Sequence, residues 1–138
     1  MNRILLDTNV VLDVLLDRQP FVDDARRIWE ASDRGQFDGY IASFSIPTIH
    51  YICRRQSSLE SANRAVDQCL AAFEVCVLYR ESILAARRMT GGDFEDNLQI
   101  AFAITDFLQG IVTRNPADFV DSPIRVYSPE EFLASLRS

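Results

Sequence analysis

RILLDTNVVLDVLL (Arg3–Leu16) is the stretch that decides the fold. Ile4-Leu5-Leu6 is a short apolar run that stops at Asp7. Bounded runs of this kind are buried strands of parallel sheets covered on both faces. After Thr8 and Asn9 the rhythm changes: Val10, Val11, Val14 and Leu15 recur at helical spacing, with Asp13 and Asp17 off that face. Asp7 therefore stands where a strand ends and a helix begins. In open α/β sheets ligands bind beyond the carboxyl ends of the strands. A carboxylate there is the first candidate for chemistry.

Bulk properties narrow the classes. The 138 residues suit one domain, expected over 1–138. With 48% hydrophobic and 25% charged residues, the composition is that of an ordinary globular protein. No apolar run is long enough to span a bilayer, and no secretory signal opens the chain. The cytoplasm is the expected compartment. Cys53, Cys69 and Cys76 are odd in number and form no CxxC pair, so neither a disulfide framework nor a zinc site is expected. Their apolar contexts suit buried free thiols. The lone histidine, His50, suits a helix-surface or core role better than a metal site. The net charge is −6, and all 14 basic residues are arginines. The absence of lysine excludes Schiff-base, P-loop and lysine-base chemistry. The acidic balance disfavours simple nucleic-acid binding, unless arginines cluster or a divalent metal neutralises an acidic pocket.

Strand and helix patterns alternate along the rest of the chain. A helix opens at Pro20 and stops at Gly35, with Phe21, Ala25, Ile28 and Trp29 on its buried face. Tyr40–Ala42 is a strand, and a helix capped by Ser43 or Ser45 follows it. Leu59–Phe73 is helical, and Val75–Leu78 reads as a buried strand. A short helix from Glu81 or Ser82 ends near Gly91-Gly92. Asp93 opens a long helix through Leu108, with Gly110 as its stop. Ile111–Thr113 and Ile124–Tyr127 are strands separated by a helical turn over 117–120. Ser128-Pro129-Glu130-Glu131 is a strong helix start. Alternation of this kind implies a three-layer α/β/α sandwich around a parallel sheet of about five strands.

Three acids share one logic. Asp7 ends the first strand, Asp96 lies in the first turn of the long helix, and Asp118 follows the strand Ile111–Thr113. Each has an ordinary structural role open to it: Asp7 as a helix cap, Asp93 and Asp96 as N-cap and N3, Asp118 as a turn acid. If the first and fourth strands are parallel neighbours, the acids emerge at one sheet edge. Gathered carboxylates repel one another and call for a counter-ion. Mg²⁺ or Mn²⁺ suits oxygen ligands and bridges to phosphate, which points to phosphodiester hydrolysis.

LLDTNVVLD, DFEDNLQIAFA and IVTRNPADF together resemble the three signature segments of the PIN domain, in order and across nearly the whole chain. That family is known for metal-dependent ribonucleases, including the VapC-like toxins of bacterial toxin–antitoxin pairs. The resemblance implies an endoribonuclease acting on RNA with Mg²⁺ or Mn²⁺, in which Asp7, Asp96 and Asp118 are catalytic and hold the metal. It implies that Asn9 supports Asp7 and that Thr113 orients the site from its strand end. Asp118 matches the acid of a TRNxxDF variant, while another variant places that acid at Asn115. The usual glutamate of the helix after the second strand falls on Thr48, which supplies no charge; three outcomes are then open, a more weakly held metal, Glu95 or Asp93 as a substitute, or loss of activity. Arg114 is open to two roles, contact with a substrate phosphate or a surface bond to a helix end. A toxin would have an antitoxin protein as partner. A homodimer using the Trp29 face is a further implication, a core role for Trp29 being equally open.

Two other functions compete. One is a PIN-like module without turnover that binds a protein or RNA partner through its acidic pocket, favoured by Thr48 and the negative charge. The other is a phosphatase of the haloacid-dehalogenase type. Asn9 stands where that motif has its second aspartate, and the required lysine is missing.

Overall fold

The computed structural model describes residues 2–137, so the ends of the expected 1–138 domain, Met1 and Ser138, lie outside it. In chain order the elements are β1 (Arg3–Leu6), α1 (Thr8–Leu15), α2 (Val22–Asp33), β2 (Asp38–Ala42), α3 (Ser45–Gln56), α4 (Leu59–Ala72) and β3 (Glu74–Cys76). Then come α5 (Arg80–Arg88), α6 (Phe94–Thr105), β4 (Gly110–Val112), a 3-10 turn (Pro116–Asp118), β5 (Arg125–Tyr127) and α7 (Pro129–Leu136). The strands form one five-stranded sheet in the order β3-β2-β1-β4-β5, with every pairing parallel.

β1 lies at the centre, and its alternation divides the core. Ile4 and Leu6 join α1, α2, α3, α4 and α7 on one face, where Phe37 and Phe132 meet edge to face at 4.9 Å. Leu5 joins Ile100, Phe102 and Ala103 of α6 and Ile111 of β4 on the other. These are the three layers that the alternation of patterns implies. Ser128 forms a capping box with Glu131 at the start of α7, as its sequence requires. Among the described residues no helix is long and apolar enough to cross a membrane. The three cysteines are free and buried, and burial pushes the Cys69 thiol up to about 12.

Several boundaries differ from the sequence expectation. The strand expected over Val75–Leu78 is Glu74–Cys76 at the sheet edge, and Val77 and Leu78 are exposed beyond it. A β-branched run cannot show whether its outer side will be covered. α6 ends at Thr105 instead of Leu108, because Phe107 takes φ +56° and the Leu108 amide turns back to the Ala103 carbonyl. Gly110 is then the first residue of β4, where a side chain would collide with the Tyr127 ring. Phe21 is 41% exposed and precedes α2. Asp13, placed off the buried face by helical spacing, is buried.

The strand order reverses between β1 and β4, and such switch points open a crevice beyond the strand ends. The Asp7 amide donates to the Val112 carbonyl at 2.9 Å, so β1 and β4 run out side by side at that place. Close packing of this pair depends on Gly110. A Cβ there would lie 2.8 Å from Tyr127 Cε2 and 3.1 Å from Ile4 Cδ1. Gly110→Ala is expected to lower stability by about 1–3 kcal/mol in urea denaturation through overpacking. An unchanged midpoint would show that the Tyr127 ring moves aside freely.

Candidate functional site

Asp7 occupies the N-cap position of α1, yet its side chain accepts nothing from the helix. The carboxylate turns instead into the crevice, 8% exposed, where each oxygen has its own donor. Gln99 Nε2 of α6 donates to Oδ1 at 2.8 Å, and Thr113 Oγ1 donates to Oδ2 at 2.7 Å. The Asn115 amide donates to the same Thr113 hydroxyl at 3.2 Å. Charge-assisted bonds of this length fix the orientation of a carboxylate. The helix-cap reading of Asp7 is therefore replaced by a long-range one. The start of α3 reaches the same segment: buried Ser45 shares a hydrogen bond of 2.6 Å with Thr8. Asn9 is half-buried, with its side-chain oxygen unpartnered.

The other acids come from α6 and the turn after β4. Asp93 caps α6, its carboxylate accepting from the Glu95 amide at 2.7 Å. Asp96 lies half-buried in the first turn. Burial, and then the charges of Asp7, Asp93, Asp118 and Glu95, push its carboxyl up to about 7. Glu95 reaches solvent, and its carboxyl is also raised, by partial burial, Asp93 and Asp7. Asp118 is exposed in the 3-10 turn. The preceding loop holds that turn close to α6. Gly92, at φ +72°, would place a Cβ 3.2 Å from both the Asp118 carbonyl and Asn97 Oδ1, so only glycine fits without strain. Buried Asn97 donates to the Gly91 carbonyl at 2.8 Å.

Two expected residues are engaged elsewhere. The Thr48 hydroxyl donates to the Phe44 carbonyl at 3.2 Å, just ahead of its own helix. Arg114 makes its contacts with α1 and the segment that precedes α2. Its Nε lies 3.0 Å from Asp13 Oδ2, with its guanidinium carbon 4.1 Å above the centre of the Phe21 ring. The N–H is not aimed at the oxygen, so this is a charge contact and not a directed hydrogen bond. Burial raises the Asp13 carboxyl, and Arg114 and Arg18 pull it back down. Gln99, Ser45 and Asp13 were not among the sequence candidates. A polar Gln99 within the apolar run Leu98–Phe102 was the one available signal.

Among the described residues no three His, Cys, Asp or Glu side chains are arranged to enclose a metal ion. The acids nevertheless lie close enough for four of them to raise Asp96. A hydrated ion such as Mg²⁺ needs only one or two carboxylates, water filling its other positions. The donor set fits an ion of that kind.

A parallel α/β sheet with an acidic crevice between its first and fourth strands defines the class. The PIN domain family model matches residues 3–117, and the chain belongs to that family. The match ends one residue before Asp118. No curated protein sequence matches the chain. Among solved structures it is similar to DNA-bound VapBC from Salmonella typhimurium, at 18% identity and TM-score 0.68, covering 94% of this chain and 99% of that one. A toxin–antitoxin complex from Klebsiella pneumoniae has 21% identity and TM-score 0.68, covering 91% and 97%. Mycobacterium tuberculosis VapC20, a sarcin-ricin loop cleaving toxin, has 14% identity and TM-score 0.63, covering 78% and 86%. At these identities the likeness is one of fold.

The raised Asp96 has a consequence for stability. Its folded value, about 7, exceeds the ordinary 3.8, so the folded state binds more protons between those limits. This contribution to stability is present below the ordinary value and is lost as pH rises through about 7. Asp96→Asn is expected to flatten that decline and to raise stability at pH 8 by roughly 1 kcal/mol, a value reduced for solvent screening. Thermal unfolding across the pH range checks it, and a parallel decline in both proteins would show that Asp96 is not the group.

Proposed function

We propose that this protein is a divalent-metal-dependent endoribonuclease and the toxin of a toxin–antitoxin pair. The observation that carries the reading is the placing of Asp7 at the switch point, its two oxygens held by Gln99 and Thr113, beside an Asp96 whose carboxyl is pushed up to about 7 by burial and then by the charges of Asp7, Asp93, Asp118 and Glu95. Family membership and the fold likeness to VapBC proteins support it. Asp7 and Asp96 would hold Mg²⁺ or Mn²⁺, with Asp118 as a third acid and Glu95 supplying the charge that Thr48 lacks. Bound there, the ion stabilises charge on the phosphate and makes a water more acidic.

The chain's own residues do the rest. Gln99 and Thr113 fix both oxygens of Asp7, so the carboxylate needs no reorganisation when an RNA phosphate arrives. Asp96 holds a proton near neutral pH and gives it up when positive charge enters the crevice. Asn9, with a buried unpartnered oxygen, supports the rim beside Asp7. Asn115 acts through its amide on Thr113, and Thr48 keeps its hydroxyl within α3. Arg114 is withdrawn from substrate by Asp13. The protein partner is an antitoxin, and a homodimer is part of the same reading.

The first test is cleavage of a mixed single-stranded RNA pool with Mn²⁺. Wild type should cleave, and Asp7→Asn and Asp96→Asn should each lose about a hundredfold or more. Calorimetry in buffers of different ionisation enthalpy should show release of about half a proton per ion at pH 7 in wild type and none in Asp96→Asn. A second reading, a binding module without turnover, is favoured by Thr48 and by the absence, among the described residues, of an enclosing ligand set. Failure of wild type to cleave RNA or to bind Mn²⁺ would favour it.

A further inference from the structure

Asp13 and Arg114 meet across the fold, one from α1 and the other from the turn after β4. The Asp13 side chain is 1% exposed and that of Arg114 is 25% exposed. Arg18 approaches the other Asp13 oxygen only to 3.8 Å. Replacing a buried ion pair by apolar residues of similar volume is often neutral or stabilising, so stability alone does not account for this one. Its position offers another account. Arg114 is the middle residue of three whose contacts all differ. Before it, the Thr113 amide donates to the Tyr127 carbonyl at 3.0 Å and the Thr113 hydroxyl donates to Asp7. After it, the Asn115 amide donates back to that hydroxyl. Between them, the arginine side chain is anchored on α1 by Asp13 and stacked on Phe21. The side chain thus ties the turn to the helix that Asp7 begins.

We propose that Asp13 and Arg114 are positioning residues. Their buried contact holds the Thr113–Asn115 turn so that the Thr113 hydroxyl stays on Asp7, and it keeps the arginine charge out of the acidic crevice. The second half rests on the reading of Asp7 as a cation ligand, and the first does not. Phe21, partly exposed, has its place here as the face that supports the guanidinium.

The decisive variant replaces the pair by apolar residues, Asp13→Leu with Arg114→Met. Its unfolding midpoint should stay within about 5 °C of wild type, as buried pairs replaced whole often do. In the cation-free protein, hydrogen exchange at the Thr113 and Asn115 amides should quicken about tenfold, and the Gln99 side-chain amide signal should shift. Mn²⁺ affinity by calorimetry should fall about 10- to 100-fold. Should the double variant not fold, Phe21→Ala removes only the stacking face and should move the same amide signals in the same direction, by about threefold in exchange. Wild-type exchange rates and an unmoved Gln99 signal in the folded variant would overturn the proposal and leave the pair a purely structural contact. If wild type itself ignores Mn²⁺, the nuclease reading falls, while the amide signals still decide the positioning role.

Discussion

The two oxygens of Asp7 are held by residues 92 and 106 positions away in the chain. Everything that places Gln99 and Thr113 within reach must form before this carboxylate can be buried at tolerable cost. A buried carboxylate without donors is expensive, whereas one with two side-chain donors is oriented and stable. The parallel register of β1 and β4 brings Thr113 alongside, and the packing of α6 on Leu5 and Ile111 brings Gln99. The sheet and the crevice are thus two aspects of one constraint.

The crevice is built from acids in different states of engagement. Asp7 is satisfied by neutral donors, Asp93 by a helix amide, and Asp118 is open to solvent. Asp96 stands among them half-buried, and burial first and then the charges of its neighbours raise its proton affinity. Under the proposed function, an entering cation relieves the repulsion among them. The charge pair Asp13–Arg114 joins the turn after β4 to α1.

Much of this was legible in the sequence, for identifiable reasons. Ile4-Leu5-Leu6 followed by helical spacing placed Asp7 at a strand end, and Ser128-Pro129 announced α7. The order of elements and the three layers followed from alternation. What remained hidden depended on partners far away in the chain. Asp13 looked like a solvent-side charge because its counter-ion is Arg114, 101 positions on. Gln99 looked like one more polar helix residue, since nothing local shows that its amide meets Asp7. Ser45 passed for a helix cap, and only the approach of α3 to α1 turns its hydroxyl toward Thr8. The end of α6 was misplaced because Leu108 continues the apolar spacing even after the backbone has turned at Phe107.

The hydrogen bond from the Thr113 amide to the Tyr127 carbonyl carries a further consequence. During synthesis on the ribosome, Asp7 emerges early and Thr113 late, and the strand that receives Thr113 comes later still. Until Tyr127 has cleared the exit tunnel, β4 has an open edge and the donor for Asp7 Oδ2 is not anchored. The crevice therefore has no finished form until the residues of β5 are free to pair, and assembly of the acid cluster waits on that strand by topology alone.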